Sequence, residues 1–249
     1  MSALIIRTDS VLVDPPADTP VFSNVPYSAQ MEFLAKRLSA KNTVLQPVKI
    51  PFEVQGAAPA NKRVFSGTGG ADLPTYNVVD GIHCLQFNGV NGLRQEDLID
   101  LVKGFSIAIV FKAPAYATLS NSRLVSFGSS IDDRAYIDIR SSGVYIAVGE
   151  ATKPFIDMSK ATDFQCIVVK FNGLNSRYVN NAGVIQNIEI NDITAAKTSG
   201  LRMGFRLDTL TTEGFNGCIA GFKVFEDDLS DADLSMLHAE MKIAVGLDN

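Results

Sequence analysis

An all-β antiparallel sandwich is the fold class that this sequence predicts, and two patterns carry the prediction. The first is strict recurrence of apolar residues at every second position in short runs. It appears in Phe105, Ile107, Ile109 and Phe111, in Ala135, Ile137 and Ile139, and in Val144, Ile146 and Val148. It returns in Leu201, Met203, Phe205 and Leu207, and in Cys218, Ala220, Phe222 and Val224. A period of two turns one face of a strand toward a core and the other toward solvent. The second pattern is the spacing of these runs, with glycine, asparagine and aspartate between them from Val78 onward, which is the sequence form of a two-sheet jelly roll. Phe87, Phe105, Ile107, Ile109, Val125, Phe127, Val169, Met203, Phe205, Phe222 and Val224 are the predicted core.

The first third has a different texture: eight of the ten prolines fall before residue 75. Pro15, Pro16, Pro20 and Pro26 lack the amide that a sheet needs, so residues 14–26 are expected as an extended arm. Met31, Leu34, Ala35 and Leu38 recur at helical spacing behind Ser28, which predicts a short amphipathic helix over 28–38. Residues 43–54, interrupted by Pro47 and Pro51, read as an edge strand or extended linker. The Gly, Ala, Pro, Ser and Thr of 56–74 mark a boundary. The expected organisation is an assembly region over 1–75 and a jelly roll over 76–249. The latter closes with a helix on which Leu234, Leu237, His238, Met241 and Val245 share one face, started by a capping box between Ser230 and Asp233.

Composition excludes several functions. Apolar residues at 46% and charged residues at 20% describe a folded globular chain. The 22 basic residues are outnumbered by 27 acidic ones and form no dense run, so nucleic acid is not an expected partner. No apolar run approaches the roughly 20 residues that span a bilayer, so no membrane is expected either. Met1 to Asp9 lacks the basic start and long apolar segment of a secretory signal, and the protein is expected to fold where it is made. Cys84, Cys166 and Cys218 are far apart, odd in number and set in apolar runs, which reads as reduced core thiols.

The stretch Glu213-Gly214-Phe215-Asn216-Gly217-Cys218-Ile219-Ala220-Gly221-Phe222-Lys223-Val224-Phe225, followed by Leu229-Ser230-Asp231-Ala232-Asp233-Leu234, resembles the closing strand and helix of concanavalin A-like (laminin-G-like) jelly rolls. Further segments resemble the family in the same order: Cys84 to Leu93, Gly104 to Pro114, Arg123 to Gly128, Asp163 to Gly173, and Tyr178 to Asn181. Together they cover roughly residues 80–240. Within Cys84 to Leu93, Asn-Gly is expected to supply the tight turn between the first strands. The family commonly has Trp in two of these segments, where this chain carries Phe111 and Phe164; it contains no Trp at all.

The resemblance implies a jelly roll and leaves the ligand open. Laminarinase-type members carry a strand with paired carboxylates for retaining hydrolysis, whereas Ile188-Glu189-Ile190-Asn191-Asp192 lacks the central Asp and the second Glu. Glu189 therefore reads as a solvated strand end. His83 and His238 read as structural histidines. No cofactor is expected; the alternative is Ca²⁺, which the family often binds in its loops, with Asp132 and Asp133 as the turn carboxylates. Arg202 and Arg206 share the polar face of their strand, expected as an ordinary exposed sheet face.

The function expected from this set is a non-enzymatic structural protein of a phage virion, a decoration, collar or tail component assembled in the host cytoplasm. Leu4, Ile5, Ile6, Val11, Val13, Met31, Leu34 and Leu38 would dock on other virion subunits or on further copies. The alternative is a glycan-binding module or adhesin, secreted if a leader was removed, that meets a host-surface glycan through Tyr116, Tyr136 and Tyr145. A glycosidase is the third reading.

Overall fold

The computed structural model describes residues 31–37, 50–52, 63–67, 74–99, 104–113, 122–128, 134–140, 143–149, 151–155, 163–191, 199–205, 214–226 and 228–247. Two antiparallel sheets of eight described strands each face one another. The first holds β1 (Met31–Leu34), β4 (Thr75–Val79), β5 (Ile82–Asn88), β7 (Phe105–Lys112), β12 (Gln165–Phe171), β13 (Ser176–Val179), β14 (Ile185–Ile188) and β16 (Asn216–Phe225). Its order is β14-β13-β12-β7-β16-β5-β4, with β1 also on β16. The second holds β2 (Ile50–Phe52), β3 (Arg63–Gly67), β6 (Leu93–Ile99), β8 (Ser122–Phe127), β9 (Ala135–Arg140), β10 (Gly143–Val148), β11 (Ala151–Phe155) and β15 (Ser199–Met203). Its order is β11-β10-β9-β8-β15-β6-β3-β2.

The core between the sheets is built from the alternating residues. Every predicted core residue is buried, from Phe87 to Val224, and the Phe105 ring stacks on Phe171 at 4.6 Å. The opposite face of the first sheet is apolar too. Cys84, Ala108, Val110, Cys166 and Val168 pack there beneath helix α1 (Asp231–Val245), which brings Leu234, Leu237 and Met241. The helix starts as the sequence predicts. Ser230 Oγ accepts from the Asp233 amide at 3.2 Å, and the Asp233 carboxylate accepts from the Ser230 amide at 3.0 Å. Gly246, in the left-handed region at φ 87°, ends it.

Three features of the N-terminal part depart from expectation. Residues Met31–Leu34 form a strand, followed by a 3₁₀ turn at Ala35–Arg37, in place of the expected helix. The cause lies in β16: β5 pairs with it from Asn216 to Ile219, and the stretch from Gly221 to Val224 needs another partner on that side. β1 supplies the missing ladder, stacking Phe33 on Phe222 at 5.8 Å. Phe33 enters the core between the sheets and Leu34 the layer under α1. With neighbouring Phe33 and Leu34 buried on opposite faces, the period-two signal is lost and the sequence reads as readily as a helical stripe.

The boundary expected between residues 75 and 76 is crossed by pairing as well. β1 lies in the first sheet, and β2 and β3 lie in the second, with β3 on β6. Finally, Asn88-Gly89 turns the chain from one sheet to the other rather than between paired neighbours. The two-residue hairpin sits at Asp80-Gly81, both at positive φ, between β4 and β5.

Candidate ligand-binding face

With α1 over the outer face of the first sheet, the outer face of the second sheet is the one lined with polar side chains. The strand β9 and the residue before it alternate Arg134, Tyr136, Asp138 and Arg140 outward against Ala135, Ile137 and Ile139 inward. Register carries the pattern across the sheet: Tyr136 pairs with Ser126, Ser126 with Arg202, and Arg202 with Arg94. On the other side of β9, Asp138 pairs with Tyr145.

These side chains form one continuous ladder. The Arg134 guanidinium lies 5.0 Å from the Tyr136 ring centre, and the Arg123 guanidinium lies 3.8 Å from the same ring. Arg123 Nε meets Asp138 Oδ1 at 2.5 Å. Arg140 Nη2 donates to Asp138 Oδ2 at 3.1 Å, and the Arg140 guanidinium stacks 4.2 Å from the Tyr145 ring. Guanidiniums favour aromatic faces because the ring quadrupole is negative above its plane. Arg123 and Asp138 are 2% and 1% exposed, so this pair is fully taken out of water.

The sequence-predicted residues fall out as follows. Tyr136 is buried at 3% exposure under its two arginines and is no open stacking platform; Tyr145 is half-buried. Leu34 is buried against the chain's own sheets rather than offered to a partner, and Met31 pairs with Val224. Leu4, Ile5, Ile6, Val11, Val13, Leu38, Tyr116, Asp132, Asp133 and Arg206 lie outside the described residues. Arg123, Arg134, Asp138 and Arg140 are the side chains that sequence reading missed. Their signal was present in the polar members of the Ala135, Ile137, Ile139 alternation.

The remaining candidates have structural partners. His238 Nε2 donates to the Cys166 carbonyl at 3.2 Å, and the Tyr76 hydroxyl bonds His83 Nδ1. Glu189 is exposed between buried Ile188 and Ile190, past the end of the edge strand β14. All three cysteines are free and buried. A hydrogen bond with Cys218, then burial, push the Cys84 thiol up, and the same bond pulls Cys218 down. Asp228 is held below the ordinary carboxylate range, chiefly by its hydrogen bond from the Lys170 ammonium. Among the described residues, no cluster of three His, Cys, Asp or Glu could hold a metal ion, and no helix is long and apolar enough to cross a membrane.

No protein-family model matches this chain, and no curated protein matches it in sequence. The fold itself recurs among solved structures. Domain 4 of AbnA, a GH43 extracellular arabinanase from Geobacillus stearothermophilus, solved with arabinotriose, is 13% identical with a TM-score of 0.58, over 85% of this chain and 100% of that domain. The binding domain of botulinum neurotoxin serotype D/C is 12% identical with a TM-score of 0.59, over 86% of this chain and 52% of that one. Trypanosoma rangeli sialidase, solved with sialic acid, is 8% identical with a TM-score of 0.57, over 88% of this chain and 34% of that one. The chain thus spans about half of the toxin binding domain and a third of the sialidase. What the chain shares with them is the two-sheet jelly-roll sandwich.

Proposed function

We propose that this chain is a glycan-binding module that does no chemistry on its ligand. The observation that carries the reading is the ladder on the outer face of the second sheet, where fixed guanidiniums and aromatic rings alternate on rigid strands. Hydroxyl-rich ligands are recognised by planar donors and aromatic edges held on rigid strands, which the half-buried Arg140 and Tyr145 offer at the end of the ladder, braced by the buried Arg123, Tyr136 and Asp138. The fold supports the reading, since a solved domain of similar architecture, domain 4 of the arabinanase AbnA, is in complex with arabinotriose.

Binding without turnover follows from the carboxylate. Retaining hydrolysis uses two carboxyl groups about 5 Å apart, one of them able to exchange a proton. Among the side chains described on this face, Asp138 is the one carboxylate, and two guanidiniums anchor it. Of the residues expected to dock on virion subunits, Leu34 is buried in the chain's own sandwich, and nothing in the fold comparisons points to a virion. An array of neutral and acidic glycans probed with the full chain tests the proposal. Retention of a defined subset, with no release of reducing sugar, is the expected result. A folded chain that retains none would sink it.

A further inference from the structure

We infer that Cys84 and Cys218 are a disulfide-forming pair, which in an oxidising medium closes one covalent link between β5 and β16 as the sandwich folds. The inference stands apart from the glycan-binding reading and does not need it.

Register places the two side chains together. β16 pairs with β5 so that Cys218 stands opposite Gln86, which puts Cys84, two residues along, diagonal to Cys218 on the same face. Both side chains enter the layer under α1, and their thiols hydrogen-bond each other. The β5 ladder ends at Leu85 opposite Ile219, and β16 shifts register against β7 between Ile219 and Gly221, a bulge that adds local twist beside the pair. The sulfurs are already in contact, so closure shortens that contact to the roughly 2 Å of an S–S bond.

The third cysteine is placed out of reach. Cys166 lies on β12, with β7 standing between it and β16. Two interstrand steps of about 4.8 Å exceed the span of about 7 Å that a disulfide can bridge. The Cys166 thiol instead donates to the His238 carbonyl at 3.6 Å. Three free cysteines thus resolve into one pair and one spectator.

In the closed sandwich Cys84 is fully buried and Cys218 is 6% exposed, so no oxidant has to enter it. The exchange belongs to the interval before β16 has docked, when both thiols are in water. With a small organic disulfide such as oxidised glutathione as the oxidant, the Cys218 thiolate attacks one of its sulfurs and releases one thiolate. Docking of β16 then brings Cys84 onto the mixed disulfide. Cys84 gives up its proton to the released thiolate, and its sulfur attacks that of Cys218 and expels the second small thiolate. The protein has lost two electrons and two protons, and the oxidant leaves as two thiols. The link spans residue 84 to residue 218 of 249, more than half of the chain, and loops of that size lose the most unfolded-state freedom when cross-linked. A reducing medium leaves the same chain as a dithiol.

The test unfolds the full chain with dithiothreitol present and refolds it either into a mixture of reduced and oxidised glutathione or into dithiothreitol alone. Remaining thiols are then alkylated under denaturing conditions and counted by intact mass. One alkylated cysteine, Cys166, is expected after the glutathione refold and three after the other, with a Cys84–Cys218 link in the peptide map. The linked form should melt about 10 °C higher, and dithiothreitol should remove the gain. Cys84→Ala and Cys218→Ala should each abolish it, whereas Cys166→Ala should keep the link. Should a variant fail to fold, the thiol count and the peptide map of the parent chain decide. Three alkylatable thiols after the glutathione refold overturn the inference, as does a link that includes Cys166. A Cys84–Cys218 link that lowers the melting temperature overturns it too, because the native sheet then does not accommodate the bond.

Discussion

His238 and Cys166 hold each other twice. The imidazole Nε2 donates to the Cys166 carbonyl at 3.2 Å, and the Cys166 thiol donates to the His238 carbonyl at 3.6 Å. One residue belongs to α1 and the other to the start of β12, so the reciprocal pair fixes the helix on the sheet at a set height. Around it the contact is apolar, with Leu234, Leu237 and Met241 fully buried. His238→Ala should therefore lower stability by about 2 kcal/mol, from one lost hydrogen bond and the cavity left by the ring. Chemical denaturation of the two proteins measures it, and an unchanged midpoint would show that the helix is held by its apolar face alone.

The Arg123 and Asp138 pair predicts a larger effect. Removing one member of a buried ion pair strands the other, at a typical cost of about 3–5 kcal/mol. Asp138→Ala should reach that range because two guanidiniums lose their carboxylate. The double variant Arg123→Met, Asp138→Leu should cost clearly less than the sum of the single changes. Additive losses in the double-mutant cycle would mean that the two side chains do not act as a unit.

Gly221 sets the approach of β1. A Cβ at this position would lie 2.8 Å from both the Phe33 carbonyl oxygen and Leu34 Cδ2. Gly221→Ala should thus push β1 off β16 while leaving the rest of the sandwich paired. Hydrogen exchange should show amide protection falling in residues 31–34 with little change in β7 and β12. Equal protection in the variant would refute the close contact.

Acid sensitivity follows from Asp228. Its carboxyl sits below its ordinary value near 3.8, first through the hydrogen bond from Lys170. A depressed folded value means that the contribution is complete above the unfolded value and fades as pH falls through the folded one. The side chain is 58% exposed, so the effect is small and screened by salt. The melting temperature of Asp228→Asn should lie below that of the parent by a constant margin from about pH 7 to about pH 5, and the margin should close at lower pH. A margin that widens in acid would reverse the sign of this argument.

Which parts were legible in the sequence follows from how many faces each segment buries. Strands with one core face, such as β9 and β10, announce themselves by alternation, and the helix α1 by its stripe and cap. In β1 the adjacent Phe33 and Leu34 are buried on opposite faces and break the alternation, so a helical spacing of Met31, Leu34 and Ala35 reads equally well. The ladder was hidden for another reason. Tyr136 and Tyr145 stand out as aromatics at polar positions, whereas Arg123, Arg134, Asp138 and Arg140 read one at a time as ordinary solvated charges. Their meaning lies in the cross-strand register that brings Arg123 beside Asp138, and no local pattern contains that register.

Among the described strands, the central one, β16, is made last. β16 is the shared edge for β7, β5 and β1, so the first described strand waits for a partner that emerges nearly a whole chain later. Until then, three apolar strands present unpaired backbone, the kind of edge that recruits other chains. A nascent chain stalled before Asn216 is left with an open seam through the middle of its first sheet, and its fate is association with its own kind. For this molecule, the ten residues of β16 decide between a closed sandwich and an aggregate.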